Sequence, residues 1–379
     1  MSLRSLVLCS DEKIVRVLRR ILSDLEIGVE HCTDTDSAIR KLTRERFEAV
    51  VVDCADEAAA AEVLKSCRAA PCNKHAVAVA IVDSQKVVRP AFSLGAHFTL
   101  YKPISSEHAK ASFRAARALM KCERRRNARV AVEFPVTLIL QNGAKEFRAI
   151  TSDVSEGGMA IQIARRPQRS EAIRLKFPLP GSGSVVECAA EIAWEGTGAQ
   201  IGLRFVDLAA GLRDDLRAWL ARHSPQIEQD DPPVPARITD LSLGACYLEM
   251  PAPFPVRTRV ILLLRAAELR VQAEGVVRVM HPESGMGVEF SRSTAQESQQ
   301  VEKLINQLMN SKLLPEVYVE PQGVEDADPD LRDVGSGQLE DPLLALFHSK
   351  AQLNTEGFLN DLRRQRHAPL MPLEACLTS

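Results

Sequence analysis

The densest group of side chains able to do chemistry is Arg124-Arg125-Arg126-Asn127-Ala128-Arg129, followed about two dozen residues later by Asp153, Ser155 and the Gly157-Gly158 pair. Guanidinium groups grip phosphates bidentately and stack on flat rings, so one such cluster can hold both parts of a nucleotide. A carboxylate and a hydroxyl on a tight turn can read the donor edge of a purine such as guanine. The two glycines would let a backbone approach a ligand closely. The competing reading is a solvated basic junction beside an ordinary Asp/Ser turn, and residue types alone do not separate the two. Three further groups, Asp11, Asp53 and Lys102, each follow a short apolar run. The histidines are scattered without HExxH or similar spacing, and no nucleophile–base set is visible, so no enzyme is expected.

Two kinds of element must position these groups. From residue 3 to about 120, short apolar runs alternate with helical stretches. Leu6-Val7-Leu8-Cys9 reads as a buried strand, and Ile14, Val17, Leu18, Ile21 and Leu22 mark one face of the helix after it. Further strands are expected at residues 49–52, 76–82 and 99–101. Strands apolar on both faces and separated by helices indicate a doubly wound parallel sheet. In such sheets functional groups collect at the carboxyl ends of strands, where Asp11, Asp53 and Lys102 fall. From about residue 130 the pattern changes to alternating strands with turn signals such as Asn142-Gly143, closed by a helix bearing Leu212, Leu216, Trp219 and Leu220. Trp194 and Trp219 read as core residues.

The next segment repeats this one. Asp153-Val154-Ser155-Glu156-Gly157 matches Asp240-Leu241-Ser242-Leu243-Gly244 at an offset of 87, and Ile201-Gly202-Leu203-Arg204-Phe205 matches Met286-Gly287-Val288-Glu289-Phe290 at an offset of 85. A near-constant offset across two motifs predicts tandem β domains. The second copy's helix opens with a Thr294-x-x-Glu297 capping box. Only a short linker precedes Asp240, which leaves no room for the first copy's opening hairpin. Beyond residue 313 acidic residues surround prolines and glycines, which predicts a flexible tail, with short helices after Asp341-Pro342 and from Thr355.

Composition narrows the partners. The 48 basic and 50 acidic residues give a formal charge of −2, so a protein that coats nucleic acid is not expected. No apolar run approaches the ~18 residues of a membrane span, and no signal sequence is read at the start. Nine cysteines without a CxxC pair fit reduced thiols, not disulfides or zinc, and a cytoplasmic location is expected.

RRxxxR ahead of a β region, then DxSxxG, then IGLRF and a closing helix, resembles a PilZ domain, the bacterial receptor for cyclic di-GMP. The resemblance implies a β-barrel in which Arg125 and Arg129 contact guanine bases and phosphates from a flexible arm. Asp153, Ser155 and Gly158 would form the facing wall, and Arg124 would influence how many ligand molecules are held. The second copy resembles a PilZ barrel too, but it has no RxxxR and carries Ala245 where Gly158 stands, so Asp240 and Ser242 are read as turn residues. The first 120 residues resemble a response-regulator receiver, with Asp53 as phosphoacceptor and Asp11 and Lys102 in support. Ser10 stands at an acidic position and Val82 at the switch hydroxyl. A magnesium site at Asp11 and Asp53 would therefore be weak, because a hard cation wants anionic oxygens.

The expectation is multidomain α/β plus β. A receiver-like domain (1–120) precedes a ligand-competent PilZ barrel (121–223), a linker (224–232), a truncated degenerate barrel (233–312) and a tail (313–379). The implied function is a cyclic di-GMP effector whose arginine arm becomes ordered on binding and changes partner contacts. The rivals are a ligand-independent scaffold and a phosphorylation-controlled regulator. Protein partners, including a second copy docked through the receiver, complete the expectation.

Overall fold

The structure is a computed structural model that describes residues 3–70, 72–127, 129–140, 145–163, 173–196, 200–223, 231–266, 269–291, 295–310, 314–325 and 355–367. The Asn142-Gly143 turn, most of the linker, Thr294 and Asp341-Pro342 lie outside them. The chain forms two compact units. One comprises residues 121–230, and the other joins residues 2–120 to residues 231–379.

The second unit begins with a five-stranded parallel sheet in the order β2-β1-β3-β4-β5, its strands being β1 (Leu3–Leu8), β2 (Ile27–Cys32), β3 (Ala49–Asp53), β4 (Val77–Val82) and β5 (Phe98–Tyr101). Helices α1 (Glu12–Asp24), α2 (Thr35–Arg44), α3 (Glu57–Ala69), α4 (Gln85–Ser93) and α5 (Ser106–Asn127) connect and follow these strands. β4 is buried at every residue, as a strand covered on both faces must be. β2 escapes the hydrophobic pattern because it is an edge strand, buried only at Ile27 and Cys32. On α1 the buried residues are Val15, Leu18, Ile21 and Leu22, whereas Val17 is exposed, so the helix is rotated slightly from the predicted face.

In the first unit, β6 (Val130–Ala131), β7 (Pro135–Leu140), β8 (Lys145–Ser155), β9 (Gly158–Gln162), β10 (Ile173–Pro178), β11 (Val185–Glu195) and β12 (Gln200–Asp207) follow the order β6-β8-β7-β10-β11-β12-β9. Pairing of β8 with β9 closes the ring. Helix α6 (Ala210–His223) plugs it, burying Leu216, Trp219 and Leu220 among the strand residues.

The other barrel is built from β13 (Val234–Leu241), β14 (Ala245–Glu249), β15 (Thr258–Ala266), β16 (Leu269–His281), β17 (Gly285–Phe290), α7 (Ala295–Asn310) and β18 (Glu316–Val324). It is closed in the order β13-β14-β17-β16-β15-β18. This corrects the expectation of a truncated barrel ending at 312 before a flexible tail. β18, from beyond the closing helix, takes the place of the missing opening strand, and it does so in the same register. Leu138 of β7 faces Phe147 and Leu175, and Val319 of β18 faces Val234 and Leu262, each partner displaced by the repeat's 87 residues. Barrel closure needs a strand of suitable register and direction, and either end of the repeat can supply it. The tail also contributes α8 (Thr355–His367), which buries Phe358, Leu359 and Leu362 and whose Arg363 donates to the Met309 carbonyl oxygen at 2.8 and 3.0 Å.

The receiver-like domain and this second barrel share one hydrophobic core, in which Phe113, Ala116 and Met120 of α5 join Leu262, Val319 and Leu304. Arg117 fastens it, bonding Glu26 and Asp231 at 3.0 Å each.

Candidate functional site

The site is the β8–β9 corner of the first barrel. β8 bulges between Thr151 and Asp153, and the buried Thr151 hydroxyl fixes the bulge by bonding to the carbonyls of Asp153 (3.1 Å) and Ala160 (3.0 Å). Asp153 follows directly on this bulge, and such irregularities commonly re-aim a side chain. Ser155 is buried and donates its hydroxyl to the Gly158 carbonyl at 3.0 Å, which closes the turn. Gly158 has a structural necessity beyond any ligand, because a Cβ there would lie 2.1 Å from the Leu203 carbonyl oxygen.

The arginines arrive from α5. Arg124 and Arg125 lie in its C-terminal part, so the segment is helical through Asn127, where the family resemblance implies a flexible arm. Arg125 is buried, with its Nη2 on the Cys122 sulfur at 3.4 Å and its Nε 3.9 Å from Glu156. Arg129, half exposed beyond the helix, donates to Asp153 at 2.5 Å. Arg125, Arg129, Asp153, Ser155 and Gly158 therefore share one end of the barrel, and Arg124 occupies the neighbouring helical position. Sequence reading missed Glu156 and Arg217. Glu156 is an unspecified position inside DxSxxG, and Arg217 lies on a helix read only for its apolar face. Arg217 Nε and Nη2 both bond one Glu156 oxygen, at 3.0 and 2.6 Å. Burial works against the Arg217 charge, but the Glu156 carboxylate more than offsets it and the pKa lies above the ordinary value. Burial pushes the Cys122 thiol up to about 12, so Cys122 packs as a neutral group.

The second barrel repeats the turn without the cations. Its bulge falls between Ile238 and Asp240, and Ser242 donates to the Ala245 carbonyl at 3.0 Å. This is the turn role expected for Ser242.

The receiver-like site differs from its expectation. Asp53 ends β3, and Lys102 bonds it at 2.7 Å while reaching Asp83 at 3.3 Å. Asp11 follows β1 at the start of the first helix. It caps α1, its carboxylate accepting from the backbone of Lys13 (2.8 Å) and Ile14 (3.4 Å). The side chain against Asp53 is Cys9, whose thiol donates to the carboxylate at 3.4 Å and is pushed up to about 11 by burial. A neutral thiol and a lysine-paired carboxylate do not suit magnesium, which demands hard anionic oxygens. Among the described residues no group of three or more metal-ligating side chains converges. No helix among them is long and apolar enough to cross a membrane.

Comparison with known proteins agrees with this architecture. The PilZ domain family model matches residues 123–222 and again 221–307. No curated protein matches the chain. Among solved structures, the receiver domain of a sensor histidine kinase from Pseudomonas aeruginosa PAO1 is 19% identical, covering 28% of this chain and 90% of its own, with a TM-score of 0.26. A chemotaxis response regulator of Vibrio cholerae is 19% identical over 31% of this chain and 99% of its own (TM-score 0.29). The PilZ domain of CeSA from a cellulose-synthesising bacterium is 17% identical over 26% of this chain and all of its own (TM-score 0.23). The two family matches, on two closed barrels that repeat one turn and one strand register, make this a protein with tandem PilZ domains behind a receiver-like domain.

Proposed function

We propose that the chain is a non-enzymatic, cytoplasmic cyclic di-GMP effector whose first barrel holds the ligand. Arg125 and Arg129 engage its phosphates and guanine faces, Asp153 and Ser155 line the opposite wall, and Arg124 influences how many ligand molecules are held. The reading is carried by one observation: the fold sets Arg129 on Asp153 and Arg125 beside the same turn, so residues 24 positions apart meet at one mouth. Because the helix already reaches Asn127, binding exchanges the arginines' internal carboxylates for ligand phosphates more than it orders a loose arm. The change passes back along α5 and alters contacts with a protein partner.

A scaffold role is favoured for the other unit. Its barrel lacks the arginine pair and shares its core with the receiver-like domain, whose Asp53 is already held by Lys102. Docking of a second copy through the receiver remains part of this reading.

Titration calorimetry of the full chain with cyclic di-GMP tests the proposal. Charge-assisted hydrogen bonds contribute roughly 1.5–3 kcal/mol each, so Arg129→Ala should weaken binding about tenfold or more. Asp240→Ala, at the matching turn of the other barrel, should leave affinity unchanged. Equal losses from the two variants, or no binding by the unaltered chain, would defeat the assignment.

A further inference from the structure

Glu156 is positioned to compete with a ligand for Arg125. Its side chain is 9% exposed, one oxygen takes two bonds from Arg217, and the other lies 3.9 Å from Arg125 Nε. The two contacts are unequal. The Arg217 pair, at 2.6 and 3.0 Å, is a made hydrogen-bonded ion pair, whereas 3.9 Å is Coulombic proximity without a hydrogen bond. A contact of the second kind can be exchanged at little cost.

Comparison of the barrels ties this carboxylate to the arginines. At the offset of 87 the second barrel has exposed Leu243 where Glu156 stands. The closing helices superpose in sequence at an offset of 85, Leu216, Trp219 and Leu220 answering to buried Val301, Leu304 and Ile305, which puts Glu302 where Arg217 stands. The barrel without an arginine pair therefore has neither the carboxylate nor its cation.

We propose that Glu156 is an internal latch for Arg125, set by Arg217 of α6, and that the pair tunes the affinity of the first barrel for its anionic ligand. The proposal rests on the cyclic di-GMP reading above. Without ligand, the Glu156 carboxylate stands in for a phosphate and keeps Arg125 against the barrel. With ligand, Arg125 turns to the phosphates, while Glu156 stays on Arg217. Arg217 weakens the latch by neutralising Glu156, so the two residues act on affinity in opposite directions although they form one ion pair. Both are positioning residues that need not touch the ligand.

The test is calorimetric titration of the full chain with cyclic di-GMP, beside thermal unfolding of each variant. Glu156→Gln keeps the side chain's size and removes both the competitor for Arg125 and the repulsion of incoming phosphates. It should tighten binding by about two- to fivefold, the range of one weak ion pair without a hydrogen bond. Arg217→Gln leaves Glu156 to draw more strongly on Arg125 and should weaken binding by several-fold. In the Glu156→Gln background Arg217 has no carboxylate left to neutralise, so the double variant should bind as tightly as Glu156→Gln alone. If Glu156→Gln does not fold, Glu156→Asp withdraws the carboxylate by one methylene and should tighten binding to a smaller degree. Weaker or unchanged binding by the Glu156 variants, with the parent chain still binding, would overturn the latch alone. No binding by parent or variants would overturn the ligand assignment with it.

Discussion

The two barrels are the same fold made twice with opposite provision at the mouth. Both share the bulge before the aspartate, the serine that closes the turn and the register of every equivalent strand described above. The first has two arginines, a glycine and the Glu156–Arg217 pair at that corner. The second lacks the arginines and the ion pair, has Ala245 where Gly158 stands, and takes its sixth strand from the far side of its helix. The difference teaches that core and register fix the barrel, whereas a few residues outside the shared pattern set the two mouths apart. The turn motif alone carries no ligand information, because Ser155 and Ser242 make the same carbonyl bond in both copies.

The most severe way to break this comparison is to remove the borrowed strand. Val319 is fully buried in β18, and an unpaired charge there costs several kcal/mol, roughly 3 or more. Val319→Asp should abolish cooperative unfolding of the second barrel in calorimetry while the first barrel keeps its cyclic di-GMP affinity. Retention of the full transition would mean that β18 does not close the barrel.

A smaller effect separates the two turns. Gly158→Ala forces a Cβ to within 2.1 Å of the Leu203 carbonyl and should lower the first barrel's stability by about 1–3 kcal/mol, with loss of ligand affinity. Ala245→Gly, exposed in the other copy, should change stability by roughly 0.5 kcal/mol or less. Similar shifts from both would show that the corners are not different in kind.

The receiver-like domain invites the same contrast. With Cys9 against Asp53 and Lys102 already paired to it, incubation with acetyl phosphate and magnesium should leave Asp53 unmodified or nearly so by mass spectrometry. Rapid modification that vanishes in Asp53→Asn would restore this domain as a phosphorylation switch.

A further contrast is a pH dependence confined to the unit holding that domain. The partly buried His97 ring, whose Nδ1 accepts from the Ala78 backbone at 3.0 Å, has its pKa driven down to about 3 by desolvation and then by Arg68. The unfolded chain titrates near 6.5, so between those values it binds a proton that the folded chain refuses. Stability should be full above about pH 6.5 and fall as pH drops towards 3, by at most ~1.4 kcal/mol per pH unit. His97→Gln should flatten that slope in thermal melts, and an unchanged slope would assign it to other groups.

What the sequence determined was whatever depends on periodicity or on short spacing. The apolar runs of β1, β3 and β4 specify a parallel sheet because both their faces must be buried. The repeat offsets of 87 and 85 specify two like domains, and RRxxxR with DxSxxG sets the first of them apart from the second. Edge strand β2 was not legible, since a strand buried only at its ends carries no pattern. Tertiary structure decided what depends on meetings between distant residues. β18 reads as part of a polar tail until its partners β13 and β15 are in place, because its alternation has meaning only against a barrel interior. Asp11, read from sequence as a site acid, caps α1 in the fold, and the end of β1 places Cys9 beside Asp53. Glu156 and Arg217, 61 residues apart, form a site only when the closing helix returns to the turn. Local free energies write helices, strands and turns into the chain, but charges pair according to which backbone segments the packed core brings within a few ångströms.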